Sequence, residues 1–235
     1  MSTETRDRFI KQLFTTVAPY LDTLSSGFSF GMDRFWRNKA VSLSGIGPGD
    51  TVLDICAGTG ELSFILSRRV GSKGRVTGAD FCENMIEIAR RKAEPSHTNL
   101  GFIVADAKQI PFPDRSFDAV TVAFGMRNIP DTILALREIR RVLKNGGRFL
   151  CLELTQPRQR LLLALYNAYL SRVMPFVSKF VVKSAAPYLY LPRSIEAFYQ
   201  PPEFQEVIAG NGFADVVVDS LTMGIATVYR AKKNG

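Results

Sequence analysis

Residues 51–62, TVLDICAGTGEL, decide the fold: a buried strand runs into a glycine turn and then a helix. Val52, Leu53 and Ile55 supply the strand, while Gly58 and Gly60 let the backbone turn tightly and approach a ligand with no intervening side chain. A strand, a glycine turn and a helix N-terminus together form the usual seat of a nucleotide-like cofactor. The dinucleotide fingerprint G-x-G-x-x-G requires a third small residue, but this chain continues Glu61, Leu62, Ser63. What remains is D-x-x-x-G-x-G, with Asp54 four residues before Gly58. A second strand, RVTGAD at residues 75–80, ends on Asp80, whose carboxylate can accept both hydroxyls of a ribose.

Apolar strand-like runs and helical patterns alternate from Thr51 onward, which predicts βαβ units and a parallel sheet. Strands are expected at 51–55, 75–79, 100–104, 118–123 and 148–154, with helices at 61–70 and 83–93. A further helix follows Pro130-Asp131 and sets Ile133, Leu136, Ile139 and Leu143 against the sheet, and Lys144-Asn145-Gly146-Gly147 reads as its stop. Two more strands, at 216–218 and 224–229, finish the sheet. In an open parallel sheet the ligand crevice lies outside the carboxyl ends of the strands, so Gly58, Asp80, Asp106 and Arg127 are expected to converge there.

The composition excludes several alternatives. With 235 residues the chain is long enough for one α/β domain, and no Pro/Gly/Ser-rich linker divides it. Three separated cysteines in no C-x-x-C pairing suggest neither a disulfide framework nor a zinc site. The single histidine, His97, excludes any site needing two imidazoles, so no metal centre is expected and a Ser-His-Asp site is disfavoured. No apolar run reaches the roughly 18 residues that span a bilayer and no leader is visible, so a cytoplasmic protein is expected. A net charge of +8 fits nucleic acid, an anionic lipid surface or plain solubility. Enzymes that methylate base amino groups usually carry Pro-Pro-aromatic after strand 4; this chain has Gly125-Met126-Arg127-Asn128, and no nucleic-acid partner is expected.

The D-x-x-x-G-x-G turn followed by an acidic strand end is seen in S-adenosylmethionine-dependent methyltransferases. DICAGTGEL (54–62), GADFCENMI (78–86), ADAKQIPFPDRSFDAV (105–120), AFGMRN (123–128) and RVLKNGGRFLCLEL (141–154) follow in that order. Together with VAPYLDTLSSGFSFGMDRFWR (17–37) and YLPRSIEAF (190–198), they make the chain resemble, over nearly its whole length, the ubiquinone/menaquinone biosynthesis C-methyltransferase family. The first blocks are widespread among class I methyltransferases; AFGMRN, FGMDRFWR and YLPRSIEAF are far more specific.

The resemblance implies a class I, Rossmann-like α/β fold with a seven-stranded, mostly parallel sheet and an antiparallel last strand. It implies S-adenosylmethionine as donor and a polyprenylated quinol as acceptor, demethylmenaquinol in preference to the benzoquinol of ubiquinone synthesis. By position, the cofactor contacts are Thr59 in the turn beside Asp54, Gly58 and Gly60, then Asp80 on the ribose, Asp106 and Ala107 beside the adenine, and Ala123 at the end of strand 4. Some relatives carry serine where this chain has Ala123, so only its backbone or methyl is available. Arg127 stands where the resemblance places a catalytic arginine, with Asn128 as a polar orienter. A guanidinium is no base, so its role is to stabilise a quinol oxyanion and align a water that relays the proton.

Within this single domain, residues 1–45 are read as a helical lid, rich in aromatics at Tyr20, Phe28, Phe30, Phe35 and Trp36. Residues 155–205 are read as a helical insertion on the substrate side. Part of it, LLLALYNAYLSRVMPFVSKFVVK at 161–183, mixes large apolar residues with Arg172, Lys179 and Lys183 and is broken by Pro175. That pattern suits a helix lying on an anionic membrane surface, at the inner face of the membrane; a buried helix or a homodimer contact accounts for it as well.

Overall fold

The computed structural model describes residues 3–93, 97–174 and 186–234. Strands β1 (Thr51–Ile55), β2 (Arg75–Asp80), β3 (Leu100–Val104), β4 (Phe117–Ala123), β5 (Leu143–Leu154), β6 (Phe213–Leu221) and β7 (Ala226–Lys233) form a seven-stranded sheet in the order β3-β2-β1-β4-β5-β7-β6. β1 to β5 run parallel, and β7 inserts antiparallel between β5 and β6. The strand order reverses at β1/β4, with β2 and β3 to one side and β5 to the other, which puts the crevice at the carboxyl ends of β1 and β4.

The chain first builds α1 (Thr3–Val17), a 3-10 turn (Ala18–Tyr20), α2 (Leu21–Phe28) and α3 (Met32–Leu43). α4 (Glu61–Val70) and α5 (Glu83–Lys92) follow β1 and β2; α6 (Thr132–Val142) joins β4 to β5. After β5 come α7 (Arg160–Ala168), a π turn (Tyr169–Val173), α8 (Ala186–Glu196) and α9 (Pro201–Gly210). Alternation along β1 assigns the layers. Leu53 and Ile55 join α6 and α9 in one core with Ile139, Phe204 and Phe149. Val52 packs on the opposite face against Val41, Leu62 and Leu66 of α3 and α4.

Several boundaries differ from the sequence expectation. Asp131 caps α6 as expected, accepting from the Leu134 amide at 2.9 Å, but the helix ends at Val142. Leu143 turns extended and opens β5 opposite Phe117, rather than closing the helix face. Residues 144–147 bulge out between the Phe117–Leu143 and Ala119–Arg148 pairs, with Gly146 at φ +70°, so the expected stop is a bulge inside a strand. β6 extends well beyond 216–218: it pairs with β7 from Phe213 to Leu221 at the sheet edge, with an irregularity at Asp215 and Val216, where Asp215 takes φ +52°. β7 begins at Ala226, since Thr222–Gly224 form a 3-10 turn.

Candidate active site

Where β1 ends, Cys56 adopts φ +52° and the chain loops through Gly58 (φ +55°) and Gly60 (φ +90°) into α4. The two glycines serve different ends. A Cβ on Gly60 would lie 2.9 Å from the Phe102 ring and 3.0 Å from Phe64, so Gly60 lets the turn sit on the core and is not among the residues lining the cavity. Gly58 lines the cavity and faces Leu21 of α2. Asp80 fixes this turn: its Oδ2 accepts from the Gly58 amide at 2.9 Å and its Oδ1 from the Cys82 amide at 2.9 Å. Burial holds the Asp80 carboxyl above its ordinary range against those two donors.

Asp54 is buried at the end of β1, accepting from Ser63 Oγ at 2.6 Å and Thr121 Oγ1 at 2.7 Å. Desolvation outweighs both hydroxyls and pushes its pKa up from 3.8 to about 6.

These residues open into a cavity of about 280 Å³, lined by Asp54, Gly58, Thr59, Asp80, Ala123, Arg127 and Asn128 among others. The N-terminal helices roof it through Phe14, Leu21, Phe28, Trp36 and Arg37, and the substrate-side segment closes it with Tyr166, Leu170, Tyr190 and Leu191. Of the aromatics in 14–37, Phe14, Phe28 and Trp36 line the cavity, while Tyr20, Phe30 and Phe35 are exposed. The roof is tied down by polar contacts: Asp7 pairs with Lys108 at 2.6 Å, and Trp36 Nε1 donates to Thr222 Oγ1 at 2.8 Å. Asp22 accepts from Thr59 Oγ1 at 2.5 Å and from Lys92 Nζ at 2.8 Å. The Thr59 hydroxyl is therefore directed to α2.

Asp106 and Ala107 do not share this chamber. They line a neighbouring pocket of about 40 Å³, and Cys56, Phe81 and Asn128 stand in the walls of both. Asp106 is exposed and accepts from the Lys108 amide at 2.8 Å, so the expected convergence of four motifs in one cleft becomes three in one chamber and the fourth next door. The physical reason lies in the order of the strands: β3, which delivers Asp106, is at the sheet edge, two strands from β1.

Arg127 is the largest departure from expectation. Its Nη1 pairs with Glu153 Oε1 and donates to the Phe124 carbonyl at 2.7 Å, while its amide donates to Glu153 Oε2 at 3.1 Å. Glu153 is fully buried in β5. The arginine expected to stabilise a quinol oxyanion is thus also half of an enclosed ion pair with Glu153, although it still lines the cavity and its Nε is buried without a hydrogen-bond partner. Asn128 accepts from Tyr190 OH at 2.9 Å and donates to the Phe124 carbonyl at 3.3 Å. Sequence reasoning missed Glu153, whose signal was an acid embedded in the apolar run FLCLEL, and Arg37, whose signal was an Asp33/Arg37 spacing of one helical turn.

Asp80 as a carboxylate beside the glycine turn, the open chamber beyond it and the acidic wall at Asp54 fit the ribose and the cationic centres of S-adenosylmethionine. An open sheet of this order with such a chamber defines the class: an S-adenosylmethionine-dependent methyltransferase. A solved S-adenosylmethionine-dependent methyltransferase from Aquifex aeolicus shares the fold, with TM-score 0.64 and 22% identity, over 86% of this chain and 91% of that one. Within the class, residues 2–233 match the model of the ubiE/COQ5 methyltransferase family, and the chain belongs to that family. A demethylmenaquinone methyltransferase of Staphylococcus epidermidis is 38% identical over 224 residues, 95% of this chain and 92% of the relative. One of Staphylococcus aureus is 38% identical over 228 residues, 96% and 94% of the two chains.

Proposed function

We infer that this protein methylates the unsubstituted ring carbon of demethylmenaquinol. One observation carries the reading: a single chamber joins the glycine turn and Asp80 to an apolar wall of Phe28, Tyr166, Leu170 and Leu191, with Arg127 also in its lining. The polar end suits the cofactor and the apolar end a naphthol ring with its prenyl tail.

S-adenosylmethionine supplies a methyl group on a sulfonium, already a good electrophile. The chain's residues must align the acceptor carbon and raise its electron density. A hydroquinone hydroxyl titrates near about 10 by analogy with tyrosine, so little phenolate exists at neutral pH. Arg127, fixed by Glu153, presents a preorganised positive edge where the oxygen gathers charge. The Tyr166 hydroxyl, in the same wall, has no hydrogen-bond partner among the described residues and burial pushes its pKa to about 12, so it acts as a proton-holding donor. Tyr190 orients Asn128 beside it. Methyl transfer leaves the ring carbon carrying both the new methyl and a hydrogen, and loss of that proton to water restores the aromatic ring. The apolar roof keeps bulk water away from the sulfonium until then.

The polyprenyl substrate lives in a membrane, and the reading includes docking at an anionic membrane surface. Leu161 and Leu165, one helical turn apart on α7, are 76% and 61% exposed, and Phe30, 82% exposed, leans on Tyr169 one turn further along. These exposed apolar side chains, on the helix that also carries Tyr166 of the chamber wall and on the neighbouring N-terminal segment, support it. Pro175, Lys179 and Lys183 lie outside the described residues. Among the described residues no helix is long and apolar enough to cross a membrane.

Quinone analysis of a deletion strain tests the reaction: demethylmenaquinone should accumulate, and an unchanged quinone pool would remove the assignment. For the surface, Leu161→Asp with Leu165→Asp should reduce sedimentation with anionic vesicles; unchanged sedimentation with a loss of self-association would instead make α7 a dimer contact.

A further inference from the structure

The block FGMDRFWR, residues 30–37, ends on Arg37. Among the described residues the chamber is lined by two cations, Arg37 and Arg127. Arg127 is committed to Glu153 and the Phe124 carbonyl. Arg37 is held but not consumed. Its Nη1 donates to Asp33 Oδ2 at 2.6 Å, and no other hydrogen bond ties the guanidinium to the described residues. Asp33, buried beneath it, is itself braced by Ser29 Oγ at 3.0 Å and Ser26 Oγ at 3.3 Å. The Arg37 guanidinium carbon sits 5.0 Å from the centroid of the Phe124 ring, a cation–π placement that fixes the fork at the end of β4. Its charge reaches Asp54, where it opposes the rise in pKa.

The ligand's charges must be matched to this wall. S-adenosylmethionine carries a sulfonium, an ammonium and a carboxylate. On the glycine-turn side of the chamber Lys92 pairs with Asp22 and Glu61, while Asp54 and Asp80, which face no lysine or arginine at hydrogen-bond distance among the described residues, suit the cationic centres and the ribose but repel the carboxylate. A carboxylate taken out of water needs a charged, hydrogen-bonding partner. We propose that Arg37 receives the α-carboxylate of the bound cofactor, so that the N-terminal helices complete the cofactor site. Arg37 then bridges two anions, Asp33 behind it and the ligand in front, using the donors Asp33 leaves free. The planar fork makes arginine better suited than lysine to hold both.

The test is calorimetric binding to the purified full-length chain. The probes are S-adenosylmethionine, S-adenosylhomocysteine and 5′-methylthioadenosine, which keeps the nucleoside but lacks the amino-acid half. Arg37→Gln should weaken the first two by about tenfold or more, the size of a lost charge-assisted hydrogen bond, and leave the third within about twofold. Arg37→Lys should recover part of the loss. Because Arg37→Gln strands the buried Asp33, the paired variant Asp33→Asn with Arg37→Gln is run beside it and should show the same ligand selectivity. Unchanged affinity for S-adenosylmethionine, or an equal loss for 5′-methylthioadenosine in the paired variant, would overturn the assignment. Failure of the unaltered chain to bind any of the three would instead sink the cofactor reading on which it rests.

Discussion

Arg127, just past the end of β4, and Glu153, near the end of β5, form an ion pair closed off from solvent, with 7% and 0% of their side chains exposed. The carboxylate also accepts from the backbone amides of Arg127 (3.1 Å) and Leu154 (2.8 Å), so one glutamate fixes both the guanidinium and the loop that carries it. Such pairs add little net stability, since each ion gives up its hydration. Breaking one is severe because the survivor keeps its charge in a dry site.

The first consequence is a stability cycle. Arg127→Met and Glu153→Gln should each destabilise the fold by about 3–5 kcal/mol, while the double variant should regain most of that loss. Urea unfolding of the four proteins measures it. Additive losses would mean that the pair carries no coupling and that Arg127 is free in solution.

The second concerns rate. In the double variant, where the fold is retained, turnover should fall about a hundredfold or more, the usual size for one oxyanion-stabilising donor, with S-adenosylmethionine affinity nearly unchanged. Raising the pH should recover part of the rate, because solvent then supplies the phenolate that Arg127 no longer favours. A single-turnover rate within about twofold of the unaltered enzyme would reject a catalytic Arg127.

Asp80 is predicted to act twice, on the ligand and on the turn. Asp80→Ala removes the acceptor for the ribose hydroxyls and for the Gly58 amide, and should weaken cofactor binding by about 1.5–3 kcal/mol. 5′-Methylthioadenosine should lose as much as S-adenosylmethionine, because both present the ribose; that equality distinguishes Asp80 from Arg37. Calorimetry giving unaltered affinity in a folded Asp80→Ala protein would remove Asp80 from the site.

Much of this architecture was legible in the sequence because parallel strands are short apolar runs and their ends are punctuated: ICAGTG after β1, Asp80 closing β2, FGMRN after β4. Local signals of that kind survive folding. What periodicity does not carry is pairing across the fold. Glu153 meets Arg127 only because β5 lies beside β4, and Asp22 meets Thr59 only because α2 folds back over the turn. The same limit split Asp106 from Asp80: a rule about strand ends names the edge of the sheet where ligands bind but not how its walls divide the space. The bulge at 144–147 was missed for a local reason, since Asn-Gly-Gly reads equally as a stop and as an excursion within a paired strand.

Asp54 gives the sharpest pH prediction. Its folded pKa of about 6 stands above the ordinary 3.8, with burial as the largest cause. A carboxyl so raised binds its proton more tightly in the folded state. Its contribution favours folding at low pH and is lost as pH rises from about 4 through 6, reaching about 3 kcal/mol of destabilisation at pH 7. Asp54→Asn removes the charge and keeps a hydrogen-bonding group, and the Ser63 and Thr121 hydroxyls can rotate to serve both its carbonyl and its amide. Urea unfolding without cofactor, at pH 4, 5, 6 and 7, should therefore show the stability of Asp54→Asn rising relative to the unaltered protein by about 2 kcal/mol across the range. Groups common to both proteins cancel in that difference. Parallel stability profiles would show that Asp54 ionises at its ordinary pH in the fold, and that Ser63, Thr121 and the Arg37 charge together offset its burial.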